Sequence, residues 1–272
     1  RRRAGPMTLV AGVAGQPIVH SLSPLIHGAW IEAAGLDAVY HPYGPADAIE
    51  FAALVARGRA GELRGLNVTA PFKQQALALA DAVSPVAWAC GSANLLRFER
   101  GLVHADSTDG TGLMAALAEQ APGLDVRDKA VVVLGAGGAA RAAVAVLTVA
   151  GARVGVLNRT VARAESLAAD LKAAIAGPAA LGTAALVVNA LSVPPEIDLS
   201  ALRRDAVVLD MTYRPVITPF LAAAGARGLT AVDGLAMLIG QARPSFTALF
   251  GIAPPDIDIR GRALAALGEI DP

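Results

Sequence analysis

The stretch "KAVVVLGAGGAARAAV", residues 129–144, decides the fold because it contains a strand, a tight turn and a helix in that order. Its apolar run is continuous, as expected of a parallel strand that is covered on both faces. Glycines 135, 137 and 138 follow the run, and glycine permits a tight turn and the close approach of a pyrophosphate. The stretch therefore predicts dinucleotide binding, with tight packing of a helix on a sheet as the alternative.

The following strand distinguishes between the two nicotinamide cofactors. An NAD site usually has Asp or Glu about twenty residues further on, where it accepts a hydrogen bond from the ribose 2′-hydroxyl. Here "ARVGVLNR" (152–159) ends without a carboxylate, and Arg159 and Arg163 lie nearby. A guanidinium matches a phosphate in charge and in the geometry of its donors, so the sequence favours NADP. Two solvated arginines at a helix start are the alternative.

Strands and helices alternate on both sides of this stretch. From residue 129 to 234 they predict a Rossmann-type, doubly wound unit, and from 7 to about 108 a βαβαβ rhythm predicts a mostly parallel sheet covered by helices. The sequence thus predicts an α/β protein with a substrate-binding domain (7–108 plus 240–272) and a dinucleotide-binding domain (109–239). The helices after 234 return to the first domain.

Three local features of the chain carry specific structural expectations. In the helix predicted for 23–36, Ser23 is expected as N-cap, with Pro24 at the first helical position. Pro244 predicts a kink or break in the helical run of 234–251. The opening "RRRAGPM" has no apolar signal core behind it, and Met7 is the expected natural start.

Composition argues against several classes of function. The 272 residues contain 23 basic and 23 acidic side chains, which provides no global electrostatic case for nucleic acid or an acidic membrane surface. The four histidines lack a zinc-like spacing, so no metal is expected. The single cysteine, Cys90, excludes an internal disulfide. No apolar run reaches the length of a bilayer span, and we expect a cytoplasmic protein.

The first half of the chain also contains short polar motifs at predicted turns and strand ends. They are "HSLSP" (20–24), "NVTAPFK" (67–73), "GSANLL" (91–96) and "STDGTG" (107–112). Taken singly, each is typical of a helix cap or a turn. Two hydroxyls in a turn could also hold a carboxylate, and an ammonium beside an amide and a hydroxyl could serve catalysis.

Together and in this order, these motifs resemble those of the shikimate dehydrogenase family. The resemblance runs nearly end to end, and it continues through "GAGGAAR", "NRTVAR", "DMTY" and "GLAMLIGQA". It implies NADPH-dependent, reversible reduction of 3-dehydroshikimate to shikimate, a step of aromatic amino acid biosynthesis. Ser107 departs from the asparagine that the family usually has before "TDG".

The resemblance also implies roles for individual residues. Lys73 and Asp109 form the catalytic pair, in which Lys73 stabilises the developing oxyanion and delivers the proton while Asp109 orients the ammonium. The substrate carboxylate and ring hydroxyls are bound by Ser21, Ser23, Thr69, Asn94, Tyr213 and Gln241. The cofactor is bound by Gly135, Ala136, Gly137, Gly138, Ala139, Asn158, Arg159, Thr160, Arg163 and Met237.

Two other functions remain open from the sequence. One is a quinate/shikimate dehydrogenase that uses NAD or either cofactor, and the other is a non-catalytic module that binds NADP or a metabolite. The expected partners are the small-molecule substrates, without nucleic acid or membrane, and a homodimer is one alternative for the oligomeric state.

Overall fold

A computed structural model describes residues 8–268 and contains two compact units. Of the described residues, the first unit comprises 8–108 together with Ala242–Ala266, and the second comprises Asp109–Gln241. The expected start at Met7 lies outside the described residues. Each unit is built around its own six-stranded sheet.

The first unit begins with alternating strands and helices and then forms a hairpin. Between residues 8 and 108 its elements are β1 (Leu9–Ala14), α1 (Ser23–Ala33), β2 (Ala38–Tyr43), α2 (Ala48–Arg59), β3 (Gly65–Val68), α3 (Lys73–Ala78), β4 (Ala82–Val83), α4 (Pro85–Cys90), β5 (Leu95–Glu99) and β6 (Leu102–Asp106).

The sheet of the first unit has the strand order β2-β1-β3-β5-β6-β4. β1 pairs in parallel with both β2 and β3, whereas β5 is antiparallel to β3 and to β6. The β5–β6 connection is a tight turn in which Arg100 and Gly101 have φ values of 51° and 78°. This hairpin departs from the βαβ rhythm expected up to residue 108, since consecutive βαβ units would give parallel strands.

The second unit is wound on both faces of a parallel sheet. Its elements are α5 (Asp109–Gln120), β7 (Ala130–Leu134), α6 (Gly138–Val149), β8 (Arg153–Leu157), α7 (Val161–Leu171), β9 (Ala174–Ile175), a 3-10 helix (Pro178–Thr183), β10 (Leu186–Asn189), a second 3-10 helix (Leu199–Ala201), β11 (Val207–Asp210), α8 (Pro219–Ala226) and β12 (Thr230–Val232).

The strand order of this second sheet, β12-β11-β10-β7-β8-β9, confirms the predicted Rossmann-type unit. All five strand pairs are parallel. The winding direction reverses between β7 and β10, and ligands of such sheets bind beside the carboxyl ends of strands at that point.

Buried aliphatic side chains fill the space between each sheet and its helices. Phe51, Leu66 and Leu96 are fully buried in the core of the first unit. In the second unit, Val133 and Leu147 belong to the core on one face of the sheet and Val187, Val208 and Phe220 to the core on the other. Because strands 130–134 and 186–189 are covered on both faces, their sequences are apolar without alternation.

The last two helices are α9 (Gly234–Phe250) and α10 (Ile259–Leu267). Of the kink or break expected at Pro244, the break is wrong, because α9 is helical from end to end. Buried side chains occur on both sides of the proline, at Met237 before it and at Phe246 and Leu249 after it. Such packing stabilises a helix whose local sequence is unfavourable.

Candidate active site

The first group of predicted site residues lies at one edge of the sheet of the first unit. β1 and β3 are parallel neighbours, so their carboxyl ends meet at that edge, where the backbone N–H of Thr69 donates to the carbonyl of Ala14 over 2.9 Å. β5 runs the other way, and its start reaches the same edge: the N–H of Val68 donates to the carbonyl of Asn94 over 2.8 Å. We call the residues Ser21, Ser23, Thr69, Lys73 and Asn94 the first polar edge.

Glycine at position 15 allows Thr69 its place in the first polar edge. A Cβ on Gly15 would overlap the Cγ2 atom of Thr69 and come within 3.2 Å of the carbonyl oxygen of Ala70. The N–H of Gln16 donates to that carbonyl over 3.0 Å, which fastens the loop after β1 to the loop after β3. Glycine is therefore needed in "GQP" because the loops after β1 and β3 pack too closely there for a side chain.

Lys73 is the first residue of α3, and its side chain is half-buried. Its carbonyl oxygen accepts a hydrogen bond from the N–H of Ala93 over 2.9 Å. The bond ties the helix start to the segment that enters β5, so Lys73 and the neighbouring Asn94 are held to each other through the backbone.

The two serines of "HSLSP" lie in the loop between β1 and α1, and both are half-buried. The expected N-cap at Ser23 is wrong: Ser23 is already helical, and the residue at the cap position, Leu22, makes no side-chain cap bond. Instead the N–H of Ser23 donates to Oγ of Ser21 over 3.3 Å. The helix therefore begins one residue earlier than expected, with the hydroxyl of Ser21 at its first turn.

The glycine-rich turn of the second unit has the geometry expected of a pyrophosphate cradle. Gly135 has φ +109°, and a Cβ there would come within 3.3 Å of the carbonyl oxygen of Ala190. A Cβ on Gly137 would extend into open space with no atom within 4 Å. α6 then starts at Gly138, and the first amides of a helix have no partners within the helix. This turn, with Ala136 and Ala139, therefore leaves room and donors for an anion.

The residues expected to bind the adenosine phosphate follow β8. Asn158 donates from Nδ2 to the carbonyl of Thr160 over 2.8 Å, which shapes the loop. The side chains of Arg159, Thr160 and Arg163 are exposed. Among residues 8–268, neither Arg159 nor Arg163 forms an ion pair with a carboxylate. Two arginines without an ion pair in the described part of the chain fit a phosphate at this end of the strand.

Asp109 belongs to the second unit, where the glycines of "STDGTG" allow its helix to pack closely on two others. Asp109 is the first residue of α5 and is only 4% exposed. A Cβ on Gly110 would come within 2.9 Å of Cβ of Val146 on α6. On Gly112 it would lie 2.6 Å from the carbonyl oxygen of Met237 on α9 and 2.8 Å from Cβ of Gln241. The two glycines therefore let α5 pack closely on the helix that contains Met237 and Gln241.

A buried polar network that the sequence did not predict supports the loop of Tyr213. Asp210, at the end of β11, accepts hydrogen bonds from Nδ2 of Asn189 over 3.0 Å, the N–H of Thr212 over 3.0 Å and Oγ1 of Thr218 over 2.7 Å. The carboxylate thus holds the loops after β10 and β11 at the carboxyl edge of the sheet. A polar residue that ends an apolar strand, as in "VVNA" and "VLDM", is the sequence signal that could have identified it.

Burial changes the pKa of two groups behind the first polar edge. Desolvation lowers the pKa of His27 to about 3 and raises that of Tyr40 well above its ordinary value. The two rings are stacked with centroids 4.2 Å apart. His27 is therefore a neutral core side chain, and the Tyr40 hydroxyl keeps its proton and donates to Oδ1 of Asn67 over 2.7 Å.

Among the helices over residues 8–268, none is both long and apolar enough to cross a membrane. The same residues contain no group of three or more His, Cys, Asp or Glu side chains arranged to hold a metal ion.

The fold and the glycine-rich turn define the class, an α/β protein with a Rossmann-type dinucleotide-binding unit. The family described as "Shikimate dehydrogenase substrate binding domain" matches residues 13–96, and the family "Shikimate / quinate 5-dehydrogenase" matches residues 116–198. A relative from Caulobacter vibrioides named "Shikimate dehydrogenase (NADP(+))" is 53% identical and covers 96% of this chain and 97% of its own. The chain therefore belongs to the shikimate dehydrogenase family.

Two solved structures show the range of ligands within the similar folds. A shikimate 5-dehydrogenase from Thermus thermophilus in complex with NADP(H) and shikimate is 34% identical, with a TM-score of 0.84 over 91% of this chain and 95% of its own. A quinate dehydrogenase from Corynebacterium glutamicum in complex with NAD is 28% identical, with a TM-score of 0.83 over 91% and 95%. Both the predicted activity and one predicted alternative thus occur among its structural neighbours.

Proposed function

We infer that this protein is an NADP-dependent oxidoreductase that interconverts 3-dehydroshikimate and shikimate. The observation that carries the inference is the 53% identity, over 96% of the chain, to a relative named "Shikimate dehydrogenase (NADP(+))". The first polar edge and the glycine-rich turn support it, because they supply groups suited to a small polyhydroxylated acid and to a dinucleotide.

The first polar edge is proposed to bind the substrate. The half-buried hydroxyls of Ser21 and Ser23 suit its carboxylate, since hydroxyls near a helix start donate to anions. Thr69 and Asn94 suit its ring hydroxyls, to which an amide can both donate and accept. Gln241 and Tyr213 are proposed to complete the set.

NADP is proposed to bind at the carboxyl edge of the second sheet. The turn from Gly135 to Ala139 would take the pyrophosphate, and Asn158, Arg159, Thr160 and Arg163 would take the 2′-phosphate of the adenosine. Met237 would lie near the nicotinamide. When bound, NADPH supplies the hydride that reduces the C3 carbonyl of the substrate.

Lys73 is proposed to manage the charge and the proton at the carbonyl oxygen. As that oxygen becomes negative, the ammonium stabilises it and transfers a proton to it, and in the opposite direction the neutral amine takes the proton back. Asp109 is proposed to orient the ammonium and to accept from a substrate hydroxyl. Both groups are at helix starts, and both are at least half-buried.

The neighbouring quinate dehydrogenase with NAD makes a second activity specific enough to test. Quinate differs from shikimate by an additional ring hydroxyl in place of the double bond, so single side chains can decide between them. The absence of a carboxylate after β8 and the presence of Arg159 and Arg163 favour NADP and hence the first activity.

Initial rates of cofactor reduction, followed at 340 nm, test the proposal with two acids and two cofactors. We expect shikimate with NADP⁺ to give the highest kcat/KM of the four combinations. A higher kcat/KM for quinate with NAD⁺ would favour the second activity. Absence of turnover in a protein that binds NADP⁺ by calorimetry would indicate a non-catalytic module and contradict both activities.

A further inference from the structure

Two hydrogen bonds join the end of α5 to the start of α9 within the second unit. Gln120 is the last residue of α5, and Asp233 immediately precedes α9. Nε2 of Gln120 donates to Oδ2 of Asp233 over 2.8 Å, and Oε1 of Gln120 accepts from the N–H of Asp233 over 2.9 Å. Oδ1 of the buried Asp233 accepts from the N–H of Ala236, in the first turn of α9, over 2.8 Å. One carboxylate therefore serves both helices.

The backbone of Asp233 determines how the amide of Gln120 is oriented. A backbone N–H can only donate, so the amide atom opposite it must be Oε1, and Nε2 then faces Oδ2. A reversed amide would place two donors opposite each other. Since hydrogen bonds weaken steeply when they are stretched or misaligned, the two bonds hold α5 at one position along α9.

Further along, the two helices meet through glycines. A Cβ on Gly112 of α5 would lie 2.6 Å from the carbonyl oxygen of Met237 and 2.9 Å from the backbone nitrogen of Gln241. A Cβ on Gly240 of α9 would lie 2.8 Å from Cβ of Ala115 and 3.1 Å from the carbonyl oxygen of Gly112. Glycine permits such close approach, but it has no side chain to interlock with the facing helix. These contacts bring the helices together, and the bonds of Gln120 set their relative position.

α5 connects Gln120 to a residue of the candidate site. Asp109 lies at the other end of this helix of 12 residues, about 16 Å away at 1.5 Å per residue. α5 and α9 run in opposite directions, so the start of α5 lies beside the part of α9 that contains Met237 and Gln241. Because a helix of this length is a rigid element, a displacement of α5 at Gln120 also displaces Asp109.

We propose that Gln120 is a positioning residue that fixes α5 against α9 and thereby places the carboxylate of Asp109 for the reaction. The inference rests on the proposed function, in which Asp109 belongs to the catalytic pair. A displacement of about 1 Å in a reacting group can cost about a hundredfold in rate. Loss of the bonds of Gln120 therefore lowers the rate of the reaction more than the affinity for either ligand.

Gln120→Leu tests the proposal because it removes both hydrogen bonds and introduces a good helix former of similar size. We expect kcat for the oxidation of shikimate to fall about tenfold, while the KM values for shikimate and NADP⁺ stay within about twofold of the parent. Glu119→Leu is the matched control, because it introduces the same residue at the preceding, exposed position of α5. We expect parental constants in this control. A parental kcat in Gln120→Leu, with Asp109→Asn impaired, would overturn the proposal.

A rescue experiment separates positioning from a general loss of stability, and it also serves if Gln120→Leu folds poorly. Asp233→Asn puts an amide nitrogen opposite Nε2 of Gln120, so two donors face each other, and we expect kcat to fall about tenfold. Adding Gln120→Glu to Asp233→Asn exchanges donor and acceptor and restores both hydrogen bonds between the two residues. This double variant should have a kcat about threefold or more above that of Asp233→Asn. A double variant no faster than Asp233→Asn would overturn the proposal.

The backbone amides of Gly110 and Gly112, observed by ¹H–¹⁵N NMR without ligands, provide a readout that does not depend on the function. Both lie about 12 Å or more along the helix from residue 120, beyond the local effect of a substitution there. We expect their resonances to shift in Gln120→Leu and to stay in place in Glu119→Leu. Unshifted resonances in Gln120→Leu would overturn the proposal. If they shift while neither Gln120→Leu nor Asp109→Asn lowers kcat, the placement of α5 by Gln120 stands and the catalytic role of Asp109 under the proposed function fails.

Discussion

The two sheets collect polar residues at one edge by different routes. In the second unit every strand pair is parallel, so the glycine-rich turn after β7 and the loops after β8, β10 and β11 reach the same edge by topology alone. In the first unit β5 is antiparallel to β3, and the residue before β5, Asn94, joins residues that follow β1 and β3. The first polar edge therefore depends on specific hydrogen bonds, including those of Asn67, Thr108 and Ser245, in addition to strand direction.

The comparison predicts that the chemistry depends on Lys73 of the first unit together with Asp109, and the choice of cofactor on the loop after β8 of the second unit. It also predicts that sensitivity to acid belongs to the first unit.

Replacing Lys73 by alanine should have the largest effect, a decrease in kcat of about a hundredfold or more, because an acid–base group and a cation are lost together. Binding of NADPH, measured by fluorescence titration, should be unchanged, since the glycine-rich turn is in the other unit. Asp109→Asn should decrease kcat on the same scale. Lys129→Ala, an exposed lysine, is the control. Near-parental turnover of both Lys73→Ala and Asp109→Asn would refute the catalytic pair.

Arg159→Ala should weaken the binding of NADPH about thirtyfold, because a charge-assisted hydrogen bond to the 2′-phosphate is lost. The binding of NADH, which lacks this phosphate, should change little. Arg153→Ala is the matched control, an exposed arginine at the other end of β8. The measurement is the dissociation constant of each cofactor for the parent and for both variants. An equal loss for NADPH and NADH would remove the 2′-phosphate role and with it the assignment of cofactor choice to this loop.

Acid should destabilise the protein through His27. Its pKa is lowered to about 3 in the folded state, so between pH 3 and 6.5 the unfolded chain binds a proton that the folded protein does not. Stability due to this group is therefore full above pH 6.5 and decreases as the pH falls, by about 1.4 kcal/mol at pH 5.5. All four histidines lie before residue 105, in the first unit.

Urea unfolding of the parent and of His27→Phe at pH 5.5 and 7.5 measures this term. When the pH falls from 7.5 to 5.5, the free energy of unfolding should decrease by about 1.4 kcal/mol more in the parent than in the variant. Between pH 7.5 and 8.5 it should change by the same amount in both proteins. If the free energy of unfolding decreased equally in the parent and in His27→Phe at pH 5.5, other groups would account for the acid sensitivity.

The smallest effect is expected at a helix cap on the surface of the first unit. The carboxylate of Asp47 accepts from the N–H groups of Ile49 and Glu50 over 2.8 and 2.9 Å. Asp47→Ala should lower the free energy of unfolding by about 1 kcal/mol, whereas Asp47→Asn, which can still cap, should change it by a few tenths. Substrate and cofactor KM should stay parental in both. A change in either KM would show that the surface of the first unit is coupled to the polar edge.

The sequence predicted the second sheet better than the first, for a physical reason. Strands buried on both faces have continuous apolar sequences, so the strand predicted at the start of 129–144 is present as Ala130–Leu134. The β5–β6 hairpin was not predicted, because its turn places Arg100, a residue that rarely has positive φ, where glycine or asparagine would have given a clear signal.

The supporting residues of the candidate site were also beyond sequence reasoning. Asn67, Thr108 and Ser245 are separated by up to 178 residues, and the pairing of their side chains follows from tertiary structure alone. Local rules likewise misplaced the start of α1 by one residue. They also allowed a break at Pro244, where packing on both sides of the proline keeps the helix continuous.

The division of the first unit into two chain segments has a consequence for biosynthesis. Its core lacks Phe246, which packs against Trp30 with ring centroids 5.5 Å apart, until Ala242–Ala266 has been made. The second unit is contiguous from Asp109 to Gln241 and can leave the ribosome complete. We therefore expect the Rossmann-type unit to fold first during synthesis, although it is made second. The first unit can complete its core only after Ala242–Ala266 has been made.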